Sequence, residues 1–158
     1  MKPFTVEIDI DLPRDEVIAL FDDPDNLAKW QNGFQSFEPI SGVPGEPGAK
    51  SRLVYQHGRQ RMELTETVTK RDLPDEFNGR YEWDGGHNTL ENRFIELAPD
   101  RTRWVSVCAY EFTHPMLKVM GFFAPGMFRR QNLKFMRNFK SFCEDGRDIR
   151  DTDHPKRG

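Results

Sequence analysis

The chain has 158 residues, a net charge of -3 and 31% charged residues, which is the profile of an ordinary soluble protein of one domain. No apolar run reaches the roughly 18 residues that a membrane span needs, and the N-terminal residues lack the apolar segment of a signal peptide. The two cysteines, Cys108 and Cys143, are far apart, which favours a reduced, cytoplasmic protein over a disulfide framework. No CxxC, HExxH, P-loop or GxGxxG motif is present, so we predict no cofactor and no metal site.

The first thirty residues predict one strand followed by two short helices. Residues 4–10 alternate apolar and polar side chains, which is typical of a strand with one buried face. Pro13 suits the start of a helix that continues to Phe21. Asp22-Asp23-Pro24 ends that helix, and residues 24–30 predict a second one.

The middle of the chain predicts six further strands and no helix. Asp84-Gly85-Gly86 is a strong hairpin signal, and successive hairpins imply an antiparallel sheet. In the strand at residues 87–97 the sequence does not decide which side faces inward. Leu90 and Phe94 lie at even positions, whereas Ile95 and Leu97 lie at odd ones, so apolar residues fall on both faces. The six strands are residues 36–40, 49–57, 60–71, 77–83, 87–97 and 103–113.

A long amphipathic helix follows near the end of the chain, after a short apolar helical segment at residues 116–123. Residues 127–143 would form a rod of about 26 Å, with Pro125 at its start and Gly146 at its end. One face carries residues spaced by four, three, four and three positions, namely Phe128, Asn132, Phe135, Phe139 and Phe142. We predict that the charged residues 145–158 form a disordered tail.

This order of elements is similar to the helix-grip fold of the START-like superfamily, also known as SRPBCC or the polyketide cyclase/dehydrase-like group. The resemblance rests on the opening FTVEIDIDLPRDEVIALFDDPDNLAKW, on the strand entry at Gly48-Ala49 and on the C-terminal helix, and it covers residues 3–144. It implies a single α+β domain at residues 1–144, in which a curved seven-stranded antiparallel sheet wraps on the long helix. Two short helices follow strand 1.

The resemblance also implies an elongated cavity between sheet and helix for a small hydrophobic molecule. A wall of apolar groups with a few convergent polar ones is typical of small-ligand sites. The alternative is a solid core, since interiors are close-packed by default; we favour the cavity. The residues expected on its wall are Tyr55, Glu66, Tyr81, Trp83, Asn92, Trp104, Tyr110, Phe128, Asn132 and Phe135.

Two polar residues on apolar faces have alternative interpretations. An Asn132 side chain buried without a partner would cost on the order of 1–3 kcal/mol, so we expect it to have one. That partner is either a ligand, or else a strand carbonyl or a buried water. We favour the strand carbonyl or water over the ligand. Glu66 either forms a structural ion pair with an arginine such as Arg93, or it has a raised pKa and acts as a general acid or base. We favour the ion pair.

Residues 116–143 carry six basic side chains and no acidic one, so the rest of the chain has a net charge of -9. A basic helix with an aromatic face binds an anionic membrane surface, an acidic ligand or nucleic acid, or is simply solvated on its outer side. We favour the solvated face, and nucleic acid least, because an acidic remainder repels phosphates.

Three functions therefore stay open. The first is a binding module for a small, largely hydrophobic ligand that is lipid-, polyketide- or aromatic-like. The second is a cyclase, dehydratase or hydrolase that uses the same cavity, and the sequence does not decide whether the protein is an enzyme. The third is peripheral membrane or partner binding through the basic helix and residues 116–123. A homodimer also stays open.

Overall fold

Seven antiparallel strands curve around one long helix in the computed structural model, which describes residues 1–152. The predicted α+β helix-grip architecture is confirmed, with boundaries that differ from the predicted ones by at most three residues. The strands are β1 Phe4–Ile10, β2 Phe34–Ser41, β3 Lys50–His57, β4 Gln60–Asp72, β5 Glu76–Trp83, β6 Gly86–Ala98 and β7 Arg101–Phe112. The helices are α1 Arg14–Phe21, α2 Leu27–Trp30, α3 Pro115–Phe123 and α4 Gly126–Asp145.

The order of strands in the sheet is β1-β7-β6-β5-β4-β3-β2, so each strand from β2 to β6 pairs with the next one along the chain. β1 joins the far edge by pairing with β7, where Phe4 lies opposite Cys108. α4 packs against β1 and α2 and so lies across the concave side of the sheet. No helix within residues 1–152 is both long and apolar enough to cross a membrane.

Alternation along the strands decides which side chains face α4. On β6, Asn92 and Phe94 are buried, whereas Ile95 and Leu97 are 43% and 41% exposed. The parity that the sequence left open is therefore resolved, and the two outer apolar residues are solvent-facing.

An aromatic core fills one end of the space between sheet and helix. The Trp30 and Phe139 rings lie 5.0 Å apart, and Phe21 contacts Phe94 at the same separation. Trp104 packs edge-on against Phe139 at 5.2 Å. Phe139 is fully buried, so the second half of α4 seals solid core, as the spacing of its phenylalanines predicts.

The two ends of α4 follow ordinary capping chemistry. Pro125 precedes its first residue, and Gly146 ends it with a φ of 66°, a left-handed conformation that glycine adopts without steric cost. The predicted tail begins at residue 145, but α4 continues through Asp145 and a short 3-10 turn at Ile149–Thr152 lies against α2. The remaining residues of that predicted tail, 153–158, lie outside the described residues.

Candidate functional site

A cavity of about 740 Å³ lies between the concave face of the sheet and the first half of α4. All ten residues that the sequence analysis places on such a wall line it, from Tyr55 on β3 to Phe135 on α4. Their role in binding a ligand stays a prediction. The space is a cavity rather than a solid core because the aromatic cluster occupies only the end beyond Phe135.

A continuous row of polar side chains crosses the inner face of the sheet. Strand register pairs Ser51 with Glu66, Glu66 with Tyr81, Tyr81 with Asn88, and Asn88 with Tyr110. Side chains directly opposite each other on neighbouring strands lie about 5 Å apart, so each member of this polar row can contact the next. The row forms one hydrophilic belt across a mainly apolar wall.

Glu66 lies at the centre of the polar row and accepts a hydrogen bond from the Tyr81 hydroxyl. Burial raises the pKa of the Glu66 carboxyl, and the bond from Tyr81 opposes that rise only in part. Burial and the neighbouring carboxylate raise the pKa of Tyr81 well above its usual value. Both groups therefore favour their protonated, neutral forms in the cavity.

The expected ion pair of Glu66 is wrong. Arg93 is exposed and lies opposite Glu76 on the outer face, one position out of phase with buried Asn92. Within residues 1–152, every salt bridge of a lysine, arginine or histidine is made to an acidic residue other than Glu66. Glu66 is thus a cavity carboxyl whose charge no described cation balances.

Gly79 makes room for the ring of Tyr81. A Cβ atom at Gly79 would lie 3.1 Å from the Tyr81 hydroxyl oxygen and 3.2 Å from the nearest ring carbon. The ring therefore lies along the strand over Gly79 and not upright into the cavity. This placement directs the Tyr81 hydroxyl along the inner face of the sheet.

Tyr55 and Gln31 form a second polar group in the wall. The Tyr55 hydroxyl donates to Oε1 of Gln31 at 2.6 Å, and burial raises the pKa of Tyr55 above its usual range. Gln31 directly follows α2 and was missed by the sequence analysis. The only signal for it would have been the position of a polar residue one place after the buried Trp30.

Tyr110 and Asn132 join the last strand to α4. Asn132 Nδ2 donates to the Tyr110 hydroxyl and to the carbonyl of Phe128, both at 2.9 Å. The favoured interpretation expects a strand carbonyl or a buried water; the amide donors of Asn132 instead bond a strand hydroxyl and a carbonyl of α4, so its partners lie within the protein. Burial raises the pKa of Tyr110 to about 12, so its hydroxyl keeps a proton. Because that oxygen accepts from Asn132, its proton is available for a group inside the cavity.

The indole groups in the wall are mostly bonded to asparagines. Trp104 Nε1 donates to Oδ1 of Asn92 at 3.0 Å, and Trp83 Nε1 donates to Oδ1 of Asn88 at 3.2 Å. Trp30 also lines the cavity, and its buried Nε1 has no hydrogen-bond partner among the described residues. All three tryptophans of the chain are therefore placed to report on the contents of the cavity.

One rim of the cavity is held by an ion pair that links α1 to β4. Arg71 Nη1 and Nη2 donate to the two carboxylate oxygens of Asp22 at 2.9 and 2.6 Å. The same guanidinium donates to the carbonyl of Gly45 at 3.3 Å and so ties the β2–β3 turn to this rim. Within residues 1–152, no group of three or more His, Cys, Asp or Glu side chains is arranged to hold a metal ion.

Comparisons with known proteins agree with this architecture. The family model described as polyketide cyclase/dehydrase and lipid transport matches residues 1–144. No curated protein matches the sequence significantly.

Solved structures match the fold at low sequence identity. The Zhui aromatase/cyclase from Streptomyces sp. R1128 is 13% identical with a TM-score of 0.72, over 90% of this chain and 93% of that one. TTHA0849 from Thermus thermophilus is 18% identical with a TM-score of 0.69, over 90% and 97%. The major latex-like protein 151 from Panax ginseng is 14% identical with a TM-score of 0.69, over 89% and 95%. Identities this low show a shared fold and nothing finer.

Proposed function

Because the chain belongs to the polyketide cyclase/dehydrase and lipid transport family, we propose that it binds a small, largely hydrophobic molecule between the sheet and α4. The observation that carries this proposal is the cavity of about 740 Å³, a volume within the usual range for small-molecule sites. Its wall is mainly apolar, and the polar row from Ser51 to Tyr110 supplies the few groups that orient a ligand.

The polar row favours a ligand with at least one oxygen atom. The Tyr110 hydroxyl holds a proton that no described group accepts, and it faces the cavity beside Asn132. A carbonyl or hydroxyl oxygen of the ligand would accept that proton at the α4 side. The rest of a flat or elongated apolar molecule would lie against residues such as Leu53, Leu64 and Leu90.

An enzyme is the second candidate, and one observation favours it. Glu66 is a cavity carboxyl with a raised pKa and a tyrosine bonded to it, which is how a general acid is prepared. In its protonated form the carboxyl donates a proton to a carbonyl or to a departing hydroxyl group. In its ionised form it removes a proton from carbon. Cyclisation and dehydration both need such transfers.

Native mass spectrometry of protein purified from its own host tests the binding proposal. We expect a co-purifying small molecule on the wild type, and Asn132→Leu should lower its occupancy. Asn132→Leu removes the bond that leaves the Tyr110 proton free for the ligand, and the loss of one ligand hydrogen bond corresponds to about 1 kcal/mol, or roughly fivefold in affinity. Lys134→Leu is the matched control, because residue 134 is exposed on the outer side of the same helix.

Equal occupancy in Asn132→Leu and the wild type would contradict the placement of the ligand. Quenching of tryptophan fluorescence gives an independent titration, since all three indoles line the cavity. Glu66→Gln separates the two candidates: a binding protein keeps its ligand and has no turnover to lose, whereas an enzyme keeps binding and loses turnover.

A further inference from the structure

The outward face of α3 is apolar and has no partner among the described residues. Met116 is 67% exposed, Val119 54%, Phe122 79% and Phe123 77%. The helix is nonetheless fixed from behind, because Gly121 lies against the ring of Phe112, where an added Cβ would come within 2.8 Å of a ring carbon. The apolar face therefore projects from a helix that is anchored on β7.

Basic side chains border this face. Lys118 belongs to α3 itself. Arg129 lies in the first turn of α4 and donates to the carbonyl of Thr5 at 2.8 Å, and the guanidinium of Arg130 lies near Gly126 at the start of that helix. An open cleft of about 1010 Å³ runs beside Phe122 and is also lined by Lys2, Lys118 and Arg129. Glu111 is the only acidic residue among the described ones that line the cleft.

We propose that the apolar face of α3, with the bordering basic residues, docks on the surface of an anionic lipid bilayer. Phenylalanine, methionine and valine side chains enter the boundary between headgroups and acyl chains, while lysine and arginine contact the lipid phosphates. This assignment revises the preference for a simply solvated basic surface, since solvation does not account for two phenylalanines that are more than three-quarters exposed.

Charge favours a bilayer over a second copy of the chain. The cleft beside the apolar face is lined by three basic residues and one acidic one, so a two-fold interface through α3 would bring like charges together. An anionic bilayer instead complements that charge. Nucleic acid offers phosphates as well, but it gives no apolar phase in which Met116 and Val119 could be buried.

The position of α3 beside the cavity supports the same occupant. Leu117 is less exposed than these residues and lines the cavity, as does Phe128. Only the width of α3 therefore separates the docking face from the interior of the cavity. A hydrophobic molecule dissolved in the bilayer would have a short path into the protein, although docking itself does not depend on which ligand is bound.

Co-sedimentation with phospholipid vesicles tests the proposal. The vesicles are either neutral phosphatidylcholine or phosphatidylcholine with about 30% phosphatidylserine, at about 50 mM and about 500 mM NaCl. We expect the wild type to bind the anionic vesicles at low salt and to be released at high salt. Phe122→Gln with Phe123→Gln should lower the partition coefficient at least tenfold.

Charge and matched-surface variants complete the test. Lys118→Gln with Arg130→Gln should lower partitioning by about fivefold for each cation removed. Ile95→Thr with Leu97→Thr is the control, because these two residues are about as apolar and lie exposed on the outer face of β6. Circular dichroism confirms that each variant is folded before it is compared.

Three results would overturn the proposal. One is no binding to anionic vesicles at low salt. Another is a loss of selectivity, seen either as equal binding to neutral and anionic vesicles or as an equal loss of binding in the β6 control. The third is concentration-dependent self-association that Phe122→Gln with Phe123→Gln abolishes in the absence of vesicle binding, which would assign the face to a second copy of the chain.

Discussion

Replacing Glu66 with glutamine removes a buried charge and keeps almost the same shape. Glutamine retains a carbonyl oxygen that accepts the hydrogen bond from Tyr81, so the main change is the loss of the carboxylate. Since no described lysine or arginine lies beside Glu66, the ionised form lacks a compensating partner in the folded protein. We therefore expect the variant to be more stable than the wild type at alkaline pH.

The sign of the effect follows from the direction in which the pKa moves. Burial raises the pKa of Glu66 in the folded state, so between the unfolded and folded pKa values the folded protein holds a proton that the unfolded chain has released. The contribution of Glu66 to the free energy of unfolding is fully present below the unfolded pKa and is lost as pH rises through the folded pKa. A tenfold difference between the acid dissociation constants of the two states corresponds to about 1.4 kcal/mol.

Urea denaturation at about pH 4, about pH 6 and about pH 8 measures the difference. At the highest pH we expect Glu66→Gln to raise the free energy of unfolding by about 1–3 kcal/mol, the usual cost of an unsatisfied buried group. At the lowest pH, where the carboxyl is protonated in both states, the two proteins should have nearly equal stability.

Glu63→Gln is the matched control for this experiment. Glu63 lies on the same strand with the opposite parity, is 53% exposed and pairs with Arg61 at 2.9 Å. Its replacement should change stability by less than about 0.5 kcal/mol at any of these pH values. The reasoning is refuted if Glu66→Gln is no more stable than the wild type at the highest pH, or if its advantage does not depend on pH.

Two further predictions concern packing and thiol reactivity. Gly79→Ala should lower the free energy of unfolding by about 1–3 kcal/mol, because the added methyl group forces the Tyr81 ring to move. Gly126→Ala is the control and should cost nothing, since the only side chain near Gly126, at the start of α4, is flexible. Equal losses of stability for the two variants in urea denaturation would contradict this prediction. Burial raises the pKa of Cys108 to about 11 and that of Cys143 to about 12, so neither thiol should react with Ellman's reagent in the native protein at about pH 8. Both should react in urea, and rapid labelling without urea would be the contrary result.

The alternation on β4 is the clearest case in which sequence alone predicts the site. Leu64, Glu66 and Val68 share one parity, and all of them line the cavity in the structure. Period-2 patterns place side chains on a face reliably, because a strand offers no other choice. The aromatic spacing of α4 is equally direct, since only one face of that helix is apolar.

Partners across the cavity could not be predicted in this way. The bond between Tyr55 and Gln31 joins residues that are 24 positions apart, and nothing local at either residue specifies it. The expected pair of Glu66 with Arg93 failed because opposite charges alone do not show whether two residues face the same side of a sheet. Asn92 lies on the inner face of β6, so its neighbour Arg93 lies on the outer face, opposite Glu76.

The pairing of β1 with β7 has a consequence for how the protein is made. Phe4 pairs with Cys108 and Ile10 with Thr102, so the inward side chains of β1 have no strand to pack beside until β7 has left the ribosome. Val6 and Ile10 are 1% and 0% exposed in the folded protein, yet the strand that helps to bury them is the last one to be synthesised. Contacts this distant in sequence also slow folding, because a long loop must close before they form. During synthesis, the time between the release of β1 and that of β7 is therefore the interval in which an unpaired β1 leaves this chain most open to aggregation.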